Sequence, residues 1–387
     1  MRENRVESTL LRRINERRLL EVIQQQGPSS RASLTRVSGL TAPTVSKAVD
    51  SLLKRGLVEE IDPIEPALGR PGRLVRMASD SAAVLGVVID AHTCCVTAAG
   101  LDGKISEQQT CRFTTPGSYA ELLDVITEHC QGLIAGTTGT LRGIGVSVPG
   151  LVNERLEEIV FSPNLHLLDK HNPARDLATR FAVQGVLVQE TDALCLSERM
   201  YGGARGLEDF AVLDVATGVG LGVMSGGQLL SGHSGMAGEV GHITIQPDGV
   251  RCGCGNRGCL ETLATDAALV RMIAEDLGTP LGIEQVADLL RDRPGDFQHH
   301  VRTVVEHLAI AISAVINIFN PTNLFVHGTL LVGDADRFAR VLERVRQRTL
   351  TASLADCTIV PTRSSKRQGA IAGIMHALTR ACAPSLR

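Results

Sequence analysis

The chain has 387 residues, 43% of them hydrophobic and 21% charged, with a formal net charge of −3. It is too long for one typical domain, so two or three folding units are expected, with the ordinary composition of a soluble globular protein. No apolar run reaches the roughly 18 residues a bilayer span needs. The longest, Leu308 to Phe319, is broken by Ser313 and Asn317, and the charged start MRENRVESTLLRRINERR cannot hold the apolar stretch of a secretory signal. A cytoplasmic protein with no membrane partner is therefore expected, and clustered members of its ten cysteines become metal candidates rather than disulfide partners.

The net charge conceals an asymmetry: residues 1–79 hold 14 basic and 9 acidic residues, leaving 25 basic and 33 acidic for the rest. A basic head on an acidic body fits a nucleic-acid-binding module attached to a domain with another task. The head reads as three helices and a wing. The first helix runs from about Ser8 to Gln26 and stops at Gly27-Pro28. The second follows the capping residues Ser29 and Ser30 and reaches Gly39. Thr41 is expected to cap the third, with Pro43 in its first turn. There Val45, Val49, Leu52 and Leu53 form one apolar stripe, and Pro43, Lys47, Asp50 and Lys54 lie opposite, with Thr44 and Ser46 on the flanks. Short polar and basic residues at the start of the second helix of such a motif are what a major-groove reader presents. Leu57 to Ile61 and Leu74 to Met77 read as paired strands, and the tip Gly69-Arg70-Pro71-Gly72-Arg73 places Arg70 for a minor groove and Arg73 for phosphate. The residues expected at double-stranded DNA are Arg31, Ala42, Pro43, Thr44, Ser46, Lys47, Arg70 and Arg73.

In the body, strands are expected at Val84 to Ile89, Cys95 to Ala99, Ile144 to Val148, Val186 to Gln189, Ala211 to Val215, Leu221 to Met224 and Leu324 to Val326. Helices are expected at Asp192 to Tyr201, Thr303 to Phe319 and Arg337 to Leu350. This alternation is α/β architecture in two lobes. The most specific string is Gly238-Glu239-Val240-Gly241-His242, followed by Cys252-Gly253-Cys254-Gly255-Asn256-Arg257-Gly258-Cys259-Leu260-Glu261. His242, Cys252, Cys254 and Cys259 make a soft four-ligand set suited to one structural zinc per chain, with no ligand position left for water. Anchoring this loop would fix Glu239, Glu261 and the edge of His242 around a common space, where they could hydrogen-bond sugar hydroxyls. The other cysteines (94, 95, 111, 130, 195, 357 and 382) lack such spacing and are expected to be small buried hydrophobes.

With these residues in place the chain resembles the ROK family (repressors, open reading frames and kinases), in its sugar-responsive repressor branch. The likeness covers nearly the whole chain: the SRASL and GRPGR segments of the head, PGLV at 149–152, SPNL at 162–165, the ATGVGLGV strand and turn, and the cysteine loop. It implies a winged helix-turn-helix over residues 1–79, followed by a two-lobed actin-like, hexokinase-like (ribonuclease H-like) domain. The first lobe is expected at 80–190, completed by a C-terminal helix at 369–387, and the second at 191–368. Dimers or tetramers acting on palindromic operators are also implied. The effector, a sugar or sugar derivative, would meet Asn164, Thr191, Asp192, Glu239, His242 and Glu261.

Kinases of the family use an Asp as base in a Glu-Asn-Asp-Ala-Asn segment, which here reads Glu190-Thr191-Asp192-Ala193-Leu194. The base remains and both Asn are gone. Their first phosphate loop, Asp-x-Gly-Gly-Thr-Lys, reads Val88-Ile89-Asp90-Ala91-His92-Thr93, and a negative Asp90 in place of glycine would repel phosphate. Ala216 to Gly220 is kept and is expected to serve packing, while a Gly-Gly site reads His327-Gly328. A regulator rather than an enzyme is expected, with Asp192 as a vestigial base. The competing readings are a sugar kinase with residual activity through Asp192, and a regulator governed by a protein partner or by zinc.

Overall fold

A computed structural model describes residues 2–62, 73–293 and 295–380. The head opens with the helix Arg2–Gln26, six residues longer at its start than expected, and buries Leu19, Leu20 and Ile23. Gly27 leaves it at φ +77, where a side chain would be strained. Ser30 caps the helix Arg31–Ser38 by accepting from Ser33 N, and Gly39 closes it in the left-handed region. The third helix, Ala42–Lys54, buries Val45, Ala48, Val49 and Leu52. Leu53 is only half-buried, and Ala48, on the opposite flank of the stripe, is buried. Thr41 does not cap this helix through its side chain; its hydroxyl lies 2.9 Å from that of Thr44. Val58–Ile61 and Leu74–Met77 pair antiparallel, and Ser29–Ser30 adds a short third strand.

The chain divides into two compact units. The first holds residues up to Pro149, Leu167–Gln189 and the segment from Ser365 on; the second holds Gly150–His166 and Glu190–Ser364. Residues 150–166 thus fall with the second unit, and the head groups with the first lobe instead of standing apart at residue 79. Glu59 gives the physical reason. Its carboxylate accepts from Ser81 Oγ at 2.7 Å, Ser81 N at 3.1 Å and Ser79 N at 3.2 Å, and pairs with Arg76 at 2.7 Å. The wing strand is therefore bound to the residues that open the lobe.

The first unit's sheet runs Gln184–Gln189, Thr140–Val148, Ala82–Val88, Thr93–Ala99, Thr110–Thr114, its first three strands parallel and the last two antiparallel. The helix Lys366–Arg380 lies on one face. A Cβ on Gly145 would stand 1.9 Å from Ala370 O and one on Gly86 2.8 Å from Ile371, so bare backbone lets this helix approach closely. The edge strand Thr110–Thr114 and the helix Tyr119–Ala135 went unrecognised in the sequence.

The second unit's sheet runs Gln228–Leu229, Gly220–Ser225, Phe210–Asp214, Asn323–His327, Thr358–Pro361. Its core gathers Leu213, Leu269, Ile273, Val304, Leu308, Ile312, Val326 and Val341 from the sheet and the helices packed on it. The helix Gln298–Phe319 is long and apolar enough to cross a membrane, yet its apolar residues from Val301 to Ile316 are this core. The helix Ala335–Arg346 stops four residues short of Leu350, which is 65% exposed. A small hairpin, Leu151–Asn153 with Glu158–Phe161, belongs to the same unit.

Candidate functional site

In the second unit the segment 238–261 folds back on itself through short backbone bridges, Thr244 to Cys259 and Arg251 to Arg257. Gly258 makes the return possible: at φ +62 its Cβ would stand 1.5 Å from Gln246 O. The fold brings one ligand atom each from His242, Cys252, Cys254 and Cys259 within 4.8 Å of one another. Cys254 Sγ and Cys259 Sγ are 3.7 Å apart, and His242 Nδ1 lies 3.6 Å from Cys252 Sγ. Three thiols and an imidazole converging in this way suit a soft or borderline divalent metal. Of the remaining cysteines, Cys94, Cys95, Cys130 and Cys195 are buried, Cys111 and Cys357 are partly exposed, and Cys382 lies outside the described residues.

The imidazole of His242 faces two ways. Its Nδ1 is turned to the thiols, while Nε2 lies 3.7 Å from Glu239 Oε2. Glu261 Oε1 accepts from the Cys252 thiol at 2.9 Å and stands 3.8 Å from His242 Nδ1. Asn164 borders the same loop, since a Cβ on Gly253 would come within 3.1 Å of its Oδ1. Thr191 is 3% exposed and packs against Gly220, whose Cβ would stand 2.4 Å from the threonine hydroxyl. Asp192 follows in the first turn of the helix Glu190–Met200. Burial, and then the charges of Glu154 and Glu239, push its carboxyl up to about 7. Burial likewise raises Glu239, with His242 opposing the shift and Glu261 adding to it. Glu154 was not singled out in the sequence; its only local signal is its place directly after the string Pro149-Gly150-Leu151-Val152-Asn153. All these groups lie in one unit, as a cluster of carboxylates around one imidazole edge.

In the first unit, the loop after Ala82–Val88 carries Asp90 and Ala91. Asp90 Oδ1 takes the Ala91 N–H at 2.5 Å, so a carboxylate occupies a donor that an incoming phosphate would need. In the second unit, Gly220 and Gly222 lie against Thr191, and a Cβ on Gly241 would stand 2.3 Å from Val219 O, so the loop 216–220 is held in tight packing.

On the head, Ala42, Pro43 and Lys47 are exposed at the start of the third helix, with Thr44 and Ser46 half-buried beside them. Arg31 is engaged within the head. Its guanidinium pairs with Asp50 at 2.8 Å and Glu60 at 2.9 Å and donates to Ser46 Oγ at 3.0 Å. It thus ties the third helix to the wing strand with its charge already balanced. The buried Glu16 makes a second tie, pairing with Arg12 at 2.9 Å and with Arg55 at 3.1 Å. Arg73 is 66% exposed and loosely paired with Glu60 at 3.6 Å and Asp62 at 3.8 Å. Arg70 lies outside the described residues.

Residues 84–380 match the ROK family, and residues 12–59 match a winged helix-turn-helix DNA-binding domain. The chain is 26% identical over 390 residues to the DNA-binding transcriptional dual regulator NagC of Escherichia coli K12, covering 95% of this chain and 94% of that protein. It is 27% identical over 329 residues to the xylose repressor of Bacillus subtilis 168, covering 84% of each. Among solved structures, a ROK family transcriptional regulator described as a homolog of the E. coli MLC protein superposes with a TM-score of 0.80 at 24% identity, over 96% of this chain and 98% of that one. A ROK family glucokinase from Streptomyces griseus, in complex with glucose and AMPPNP, superposes with a TM-score of 0.64 at 21% identity, over 77% of this chain and 99% of that one.

Proposed function

The chain belongs to the ROK family, and from that premise we propose that it is a DNA-binding transcriptional repressor controlled by a sugar or sugar derivative. The observation that carries the reading is a pairing of parts. A helix-turn-helix head with an exposed Lys47 precedes a cluster in which Glu239, His242 and Glu261 are set by one cysteine loop. Carboxylates and an imidazole edge on a rigid frame suit a polyhydroxylated ligand, because the ordering cost is met before the ligand arrives. Asn164 and Asp192 complete the effector site, and Thr191 supports it from the buried side. The relatives named N-acetylglucosamine repressor and xylose repressor give the sugars to try first.

His242, Cys252, Cys254 and Cys259 would hold one structural zinc, whose contribution when bound is to staple the loop. The protein's own groups do the recognition: Glu239 and Glu261 accept from hydroxyls, while Asn164 can both donate and accept. The sugar must favour one of two conformations of the protein, since a ligand with equal affinity for both shifts nothing. The protein acts in the cytoplasm as a homodimer or homotetramer, so that two heads meet the two halves of an operator. Asp90 opposes the kinase reading, because its carboxylate takes the Ala91 N–H and adds negative charge to the loop. Asp192 favours it, as a carboxyl pushed up to about 7 has the basicity of a general base.

A thermal-shift screen of N-acetylglucosamine, xylose, glucose and their phosphates, followed by gel-shift titration on operator DNA, tests the proposal. Stabilisation by one sugar that also alters operator affinity is expected. ATP-dependent turnover of a hexose, abolished by Asp192→Asn, would replace the regulator reading with the kinase one.

A further inference from the structure

We infer a second metal site, formed by Asp276, His299 and His300, on the second unit and apart from the cysteine loop. One ligand atom from each lies within 4.8 Å of the others, a convergence that among the described residues is otherwise found only at the cysteine cluster. Asp276 stands in the last turn of the helix Asp266–Leu277, and the two histidines open the helix Gln298–Phe319. His300 Nε2 is 2.6 Å from Asp276 Oδ2, and His299 Nε2 is 3.5 Å from the same oxygen.

A simple hydrogen bond accounts for the first contact, since the His300 side chain is 14% exposed and needs a partner. It does not account for His299. That side chain is 64% exposed and free to lie in solvent, yet its ring centroid sits 3.7 Å from that of His300 and its Nε2 points to the shared carboxylate. Two imidazole nitrogens and a carboxylate oxygen form the ligand set of a borderline divalent transition ion such as Zn²⁺, Co²⁺ or Ni²⁺, and are a poor match for Mg²⁺ or Ca²⁺. Exposure of His299 leaves the remaining positions to water. The site is therefore open and exchangeable, unlike the closed thiolate set. An ion there joins the end of one helix to the start of another across residues 277–298, and closing such a loop restricts the unfolded chain.

Metal titration of the full chain tests the site, with Zn²⁺ counted by equilibrium dialysis and Co²⁺ followed by absorbance. Wild type should bind two equivalents: a tight one with thiolate-to-cobalt charge transfer, and a weaker one without it. His299→Ala, at an exposed position that leaves the core intact, should weaken the second equivalent about tenfold or more and spare the first. Asp276→Asn should do the same. A wild type that binds only the thiolate-linked equivalent up to submillimolar metal overturns the inference, as does a His299→Ala protein that keeps both. Loss of the charge-transfer band alone would instead count against the cysteine site.

Discussion

Asp192 illustrates how far one residue's surroundings can move its chemistry. Its carboxyl is raised from 3.8 to about 7 by burial and by the neighbouring Glu154 and Glu239. A raised carboxyl favours the folded state fully below the unfolded value and loses that contribution as pH climbs through the folded one, on the order of 4 kcal/mol over this span. The second unit should therefore lose stability between about pH 4 and about pH 7. Asp266, which burial raises to about 6 although the hydrogen bonds it accepts from backbone N–H groups oppose the shift, adds to the same trend. Comparing wild type with Asp192→Asn isolates the first group: the variant should melt higher at mildly alkaline pH and show a flatter pH profile. Equal slopes for the two proteins would mean that Asp192 is already well solvated. Cys254 is tested differently. Cys254→Ser should lose zinc and respond poorly to sugar while keeping some operator affinity, because the head is distant from the loop in sequence and has its own core. Metal analysis paired with gel shift reads both outcomes, and undiminished sugar affinity in the metal-free variant would remove the loop from its organising role.

At the scale of elements, the third helix of the head is held by ties that the sequence pattern alone does not show. Arg31 binds it to the wing strand through Asp50 and Glu60, and Glu16 binds its end through Arg55. Lys47 is exposed on the same helix. The two cations should then fail differently on substitution. Lys47→Ala should weaken operator binding and reduce the salt dependence by about one unit of slope, as a lost phosphate contact does. Arg31→Ala should weaken binding with the slope nearly unchanged, because its charge is spent within the head. Gel shifts over a series of salt concentrations separate the two, and a reduced slope for Arg31→Ala would return that residue to the DNA.

For the whole molecule, the joint at Glu59 is the point where the head meets the first lobe. Burial would raise this carboxyl, but hydrogen bonds from Ser81, Ser79 and Asp80 outweigh it and hold it at about 2. A lowered carboxyl contributes stability above its unfolded value and loses it as pH falls toward the folded one, here between about pH 4.5 and about pH 2. Arg142 reinforces the joint, since a Cβ on Gly56 at the end of the third helix would stand 2.1 Å from its Nη2. A head fastened in this way should move with the first lobe as one body. Glu59→Gln should keep operator affinity nearly intact, because the Glu59 carboxylate is taken up by Ser79, Ser81 and Arg76, while lowering the change that sugar produces in it. Operator titrations with and without sugar measure that coupling, and an unchanged ratio would place the transmission elsewhere.

Features carried by neighbouring residues were legible in the sequence itself. The spacing of Cys252, Cys254 and Cys259 after His242, the cap at Ser30, the stop at Gly39 and the period of Val45, Val49 and Leu52 are all short-range patterns. Each acts through local geometry and gives the same result in any surroundings that permit it. Features made by distant segments meeting were decided only in the tertiary structure. Glu154 acts on Asp192 from 38 positions away, Arg31 at the start of a helix finds Glu60 on the wing strand, and Asp276 meets His299 and His300 across a helix. None of these pairs leaves a periodic trace, because a charge or hydrogen bond is satisfied by whichever partner the fold delivers, whatever lies between them in the chain.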